Sequence, residues 1–172
     1  MGRLEIFPLD TSEATLRPLL TDLFTEHWSE IIFGTLIQGA VFELRAPNAP
    51  TRIGYLDGYL TVDFGPWHFH VCIGKHKQAE PEIARIRPTA RAELYRRLDD
   101  DGAAQGWGLR LFNGRDEQQM TVFLPHPYLD LGDKPRKQPD WSRLAIWDQL
   151  RRTYLGIEPE ECDRKSRGFR HG

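Results

Sequence analysis

The stretch Asp63-Phe64-Gly65-Pro66-Trp67-His68-Phe69-His70-Val71-Cys72-Ile73 decides how the rest of the chain is read. From Trp67 onward the residue types alternate. Trp67, Phe69, Val71 and Ile73 are apolar, and His68, His70 and Cys72 stand between them. Successive side chains of a strand point to opposite faces. The spacing therefore predicts a strand with large hydrophobes on one face and two imidazoles and a thiol on the other. Nowhere else in the sequence are groups that bind a metal or move a proton so concentrated.

Turns upstream set a register for this strand. Closing at Asp57-Gly58, a strong two-residue hairpin signal, places Leu56 opposite Tyr59 and Ile53 opposite Val62. Closing at Gly65-Pro66 places Phe64 opposite Trp67, Val62 opposite Phe69 and Asp63 opposite His68. Ala40 to Ala46 also alternates and is followed by a Pro47–Pro50 turn, so residues 40–73 read as a four-stranded meander. One face collects Phe42, Leu44, Ile53, Leu60, Val62 and Phe69. The other collects Glu43, Arg45, Arg52, Thr61, Asp63 and both histidines. A slip of one residue would mix the two sets.

Further out, Asp10 and Glu13 mark a helix start. Leu16, Leu19, Leu20, Leu23 and Phe24 then recur at helical spacing, with Pro18 inside the pattern and His27 at its end. Residues 31–37 are an apolar strand or connector. Residues 81–98 are helical in composition, with Thr89 to Leu98 the firm part. Arg85, Arg87, Arg91, Arg96 and Arg97 would give that helix a basic, solvated face. Trp107 to Phe112 and Gln119 to Leu124 flank Asn113-Gly114 as a hairpin. Asp140 caps a last helix, Trp141 to Leu155, stopped by Gly156. The expected fold is α+β: residues 1–157 as one domain, a largely antiparallel sheet (meander 40–73 plus hairpin 107–124), and helices over its apolar face. Residues 158–172 read as a polar, loose tail made locally basic by Arg164, Lys165, Arg167 and Arg170.

Composition bounds the function. The chain has 172 residues and a formal net charge of -2, enough for one self-sufficient core and against a general nucleic-acid binder. Its cysteines are Cys72 and Cys162, too few for a disulfide framework, which predicts a reducing compartment. The first residues carry no signal-peptide pattern, and no apolar run approaches the ~20 residues of a membrane span. The expected location is the cytoplasm. No Gly-rich phosphate loop, nucleophile elbow or Cys-x-x-Cys pair is present, against ATP, NAD and zinc-ribbon chemistry.

His68 and His70 share a strand face, and imidazoles at that spacing can converge on one ion at ~2.0–2.1 Å. Cys72 lies ~13 Å from His68 along an extended strand, so a site would use His68 with His70, or His70 with Cys72. Asp63, opposite His68, could ligate, orient it or act catalytically. His76 and His126 are the further metal ligands. This predicts a small metal-binding protein for zinc or iron, with an open coordination position where a metal-dependent enzyme would take a small-molecule substrate. The spacing resembles the His-x-His of cupins and alpha-class carbonic anhydrases, and the resemblance ends at that spacing. Two other readings use the same residues. One is a binding module working through the polar sheet face or the basic helix. The other is a metal-free acid–base pair, His68 with Asp63, acting on an anion held by Arg52 or Arg110.

Overall fold

The computed structural model describes residues 2–169; Arg170 of the expected basic tail lies outside them. The order of elements is β1 (Arg3–Leu9), α1 (Glu13–Glu26), β2 (Ile32–Gly34), β3 (Leu36–Ile37), β4 (Ala40–Val41), β5 (Arg52–Leu56), β6 (Tyr59–Asp63), β7 (His68–Cys72), α2 (Pro81–Ile86), β8 (Thr89–Leu98), β9 (Ala104–Asn113), β10 (Gln118–Phe123) and α3 (Ala145–Leu155). Short 3-10 turns at Trp141–Leu144 and Glu161–Arg164 flank α3. The strands form a five-stranded sheet in the order β1-β8-β9-β10-β2, a three-stranded sheet β5-β6-β7 and a β3-β4 pair, all antiparallel. This is the α+β class that the sequence predicts. No helix among the described residues is long and apolar enough to cross a membrane.

The apolar faces of α1 (Leu16, Leu19, Leu20, Leu23, Phe24) and α3 (Ile146, Trp147, Leu150) close over both larger sheets in one core. Asp140 accepts from the Ser142 amide at 3.2 Å and starts the last helical segment. Gly156, at φ 65°, ends it in the left-handed region that glycine enters without strain.

β5, β6 and β7 carry the register set by the turns: Ile53 faces Val62, Val62 faces Phe69, and Asp63 faces His68. Leu60, Val62, Phe64 and Val71 are buried, while His68 and His70 are exposed. Phe69 packs on Phe24 and Phe33, with ring centroids 5.1 and 5.6 Å away. Phe69→Ala is therefore expected to cost about 2 kcal/mol in a urea melt, below the range for a fully buried ring because Phe69 keeps some exposure. His70→Ala should cost less than about 1 kcal/mol. Equal losses would place the histidine face in the core.

Four expectations are corrected. Thr89 to Leu98 is not a helix but the strand β8, laid between β1 and β9. Its residues are strong helix formers, yet Ala92, Leu94 and Leu98 enter the core, and buried Glu93 is neutralised by Arg91 and Arg110, each at 2.5 Å. The Arg96 side chain is 5% exposed and bonds Glu5 at 2.7 Å, so it lies on no solvated face. Arg3–Leu9, given no element by the sequence reading, is the edge strand β1. Residues 40–46 do not extend the meander: β4 pairs with β3, and Leu44 bridges Phe33. Phe42 and Leu44 are consequently 58% and 41% exposed instead of in the core. Finally, the segment after Glu158 is tied down through Asp163, which has no solvent exposure.

Candidate functional site

β7 presents its polar residues through the pairing with β6. His68 and His70 stand with ring centroids 4.9 Å apart, edge to face. Thr61, directly across from His70, places its hydroxyl 2.6 Å from His70 Nδ1. When that hydroxyl accepts from Nδ1–H, the lone pair of the neutral ring sits on Nε2. Asp63 is across from His68 as expected, but its Oδ1 accepts from the Gly65 amide at 2.8 Å and so closes the turn.

His76 lies in the loop after β7. Its Nε2 is 3.3 Å from Asp57 Oδ2, its Nδ1 is 3.4 Å from an Arg87 nitrogen, and its ring meets Tyr59 edge-on. His126 sits among Trp107, Tyr128 and Phe169, 7% exposed. Its Nδ1 accepts from the Tyr128 amide at 3.0 Å, which puts the neutral ring's proton on Nε2. Neither nitrogen then offers a lone pair to an ion. Burial, with help from Arg97 and Arg143, pushes its pKa down to about 4.

His68 and His70 thus stand side by side, and among the described residues no third His, Cys, Asp or Glu brings a ligand atom within 4.8 Å of both. Among the described residues, the one trio of His, Cys, Asp or Glu with ligand atoms within 4.8 Å of each other is Glu160, Cys162 and Asp163. That trio already has its cations. Asp163 accepts from Arg96 at 3.1 Å and Arg151 at 3.2 Å, and also from the indoles of Trp107 and Trp147 at 2.8 and 3.0 Å.

What β7 does border is a groove of about 470 Å³. Phe33, Phe42, Leu44, Phe69, Val71 and Met120 make it apolar, and His70, Cys72, Tyr59, Arg87, Asn113 and Gln119 supply its polar atoms. One wall is the edge of the three-stranded sheet. The other is the hairpin of residues 33–44, tied by Phe33 to Leu44 (3.0 and 2.8 Å) and by the Phe42 amide to Thr35 (3.0 Å). Gly34 makes this hairpin feasible, because a Cβ there would overlap the Phe42 carbonyl. His70 and Cys72 both line the groove and His68 does not. Burial raises the Cys72 pKa, and its thiol donates to the Gly74 carbonyl at 3.4 Å, so it stays protonated at neutral pH. The sequence points to Arg87 only as one arginine of the expected basic helix, and to Gln119 only as the start of a strand.

The fold and groove define an α+β domain with an aromatic-walled cleft faced by one directed imidazole. The chain belongs to a family of unknown function, DUF7676, whose model matches residues 1–156. Comparison with curated proteins returns no match. Among solved structures it is similar to a crystal structure of ChuX, at 12% identity and TM-score 0.52, covering 87% of this chain and 76% of that one. It is also similar to a structure of the heme-binding protein ChuX, at 13% identity and TM-score 0.51, with the same coverages. At these identities the likeness is one of fold.

Proposed function

We propose that the groove beside β7 binds an iron porphyrin, with His70 as axial ligand. The observation that carries this reading is His70 itself: an imidazole lining an apolar, aromatic cleft, with Nδ1 held by Thr61 and Nε2 left without a protein hydrogen-bond partner among the described residues. A bare zinc or iron ion needs three or four protein ligands, which the histidines do not assemble. Iron inside a macrocycle brings four nitrogens and asks the protein for one or two. Of the two expected metals, zinc or iron, this reading uses iron, which the heme-binding protein of similar fold supports. The cleft volume falls within the roughly 300–1,000 Å³ of small-molecule and cofactor sites. Phe33, Phe42 and Phe69 would pack on the ring, and the similar fold of the heme-binding protein ChuX supports the same reading. Bound heme would supply a redox-active iron. The chain's own part is to bind it, orient it through the Thr61–His70 pair and shield it from water. Asp63 is committed to its turn, so the metal-free acid–base reading gains no support.

The test is titration of metal-free, untagged protein with hemin, followed by its absorption spectrum. Wild type should give a histidine-ligated spectrum with saturable binding. His70→Ala should lose that spectrum and weaken binding by about tenfold or more. His68→Ala, His126→Ala and Cys72→Ser should leave both in place. Identical spectra and affinities for wild type and His70→Ala would remove the proposal.

A further inference from the structure

We propose that the Arg87 end of this groove is an anion subsite, so that the ligand joins an apolar body to a carboxylate or comparable anionic group. The proposal rests on the groove being the ligand site and names what that ligand must carry. Most arginines near the five-stranded sheet are already neutralised. Arg91, Arg96 and Arg110 meet carboxylates at 2.5 to 3.1 Å. Arg87 lines the cleft and has no carboxylate within ion-pair distance among the described residues; its guanidinium meets His76 Nδ1 at 3.4 Å.

Arg87 is also fixed at its base. Its amide donates to the Ile83 carbonyl at 3.0 Å, closing α2, and its carbonyl accepts from Gln119 Nε2 at 2.9 Å. At the other end of the side chain, His76 acts as a positioning residue. With Nε2–H toward Asp57, 3.3 Å away, the Nδ1 lone pair faces the Arg87 guanidinium. Asp57 therefore bears on Arg87 through the imidazole and leaves its charge unpaired. Nothing in the cleft opposes that charge, because Cys72 is a neutral thiol and Tyr59, Asn113 and Gln119 are uncharged. The planar fork of an arginine can hold a carboxylate through two hydrogen bonds.

The experiment uses two matched probe pairs on the full chain. The first is hemin against its dimethyl ester. The second, free of metal, is 8-anilinonaphthalene-1-sulfonate against uncharged N-phenyl-1-naphthylamine. Wild type should favour the acid over the ester, and the sulfonate over the amine, by about tenfold in Kd. Arg87→Ala should erase both preferences while leaving the uncharged probes unaffected, and Arg87→Lys should keep part of them. His76→Phe, which preserves the ring contact with Tyr59, should reduce the ratio without lowering affinity for the uncharged probes. Arg87 is exposed, so its variants should fold, and urea melts matching wild type check this for them and for His76→Phe. Hemin bound through His70 with acid and ester equal would overturn the subsite and leave the heme reading standing. Failure of wild type to bind hemin would remove the heme reading. The naphthalene pair then decides the subsite by itself: an Arg87-dependent preference for the sulfonate supports it, and equal binding overturns it.

Discussion

Asp163→Ala is expected to cost about 3 to 5 kcal/mol of stability, the range for removing one partner from a buried charge cluster. The carboxylate has no solvent exposure and accepts from two arginines and two indole N–H groups. The side chains of Arg96 and Arg151 are 5% and 1% exposed. Without Asp163 both would keep Glu160, itself 45% exposed, and Arg96 would keep Glu5. The two indoles would keep nothing in its place. Asp163→Asn retains the shape and loses the charge, so its cost should be smaller. Urea melts with a common slope measure both. A loss under about 1 kcal/mol for Asp163→Ala would mean that the segment after α3 is not anchored as described. Truncation after residue 156 removes Glu160 along with Asp163, and so every carboxylate on Arg151 among the described residues, and should be at least as damaging as the point change.

The second large effect is a pH dependence set by His126. Burial holds its folded pKa near 4 against an ordinary 6.5. Above pH 6.5 the ring is neutral in both states, and its contribution to stability is fully present. As pH falls from about 6.5 toward 4 the unfolded chain takes up a proton that the folded chain refuses, and stability is lost across that window. The gap corresponds to about 3 kcal/mol. Carboxylates with lowered pKa, such as Asp10, Asp130, Asp140 and Glu158, add their own losses at lower pH. The His126 share is therefore read as a difference. His126→Phe should flatten the decline between pH 7 and 4.5 relative to wild type. Parallel declines for the two proteins would show that His126 is not protonated on unfolding alone.

Residues 52–73 were legible because two independent signals agree there. A period of two runs through three strands, and Asp57, at φ 48°, with Gly58, at φ 86°, makes the turn that its dipeptide announces. β8 misled because Ala, Arg, Glu and Leu favour helix locally. Its alternation of Ala92, Leu94 and Leu98 with Arg91, Glu93 and Tyr95 is a strand pattern, hidden because the between-residues are partly or fully buried as well. Phe42 and Leu44 fit the meander's apolar face equally well as a pattern, and only pairing with β2 and β3 takes them elsewhere. The local half of the site, His70 beside Cys72, was readable from one strand. The groove was not, since β2, β7, β10, the 42–44 segment and the residue after α2 all contribute to it, and no local periodicity records which elements will be neighbours.

The groove follows a seam between two separate sheets. Among the described residues no backbone hydrogen bond joins β7 to β2 or β10. Two side chains rivet the joint instead: Gln119 Nε2 donates to the Cys72 carbonyl at 3.2 Å, and the Thr89 hydroxyl, 3.1 Å from that carbonyl, donates to Gln119 Oε1 at 2.8 Å. Widening the cleft therefore strains rotamers and a pair of side-chain bonds, while every strand ladder stays intact. A cleft cut into a continuous sheet would have to break backbone pairing to open. Here the aperture is a property of side chains, and the frame on either side can stay rigid as it adjusts.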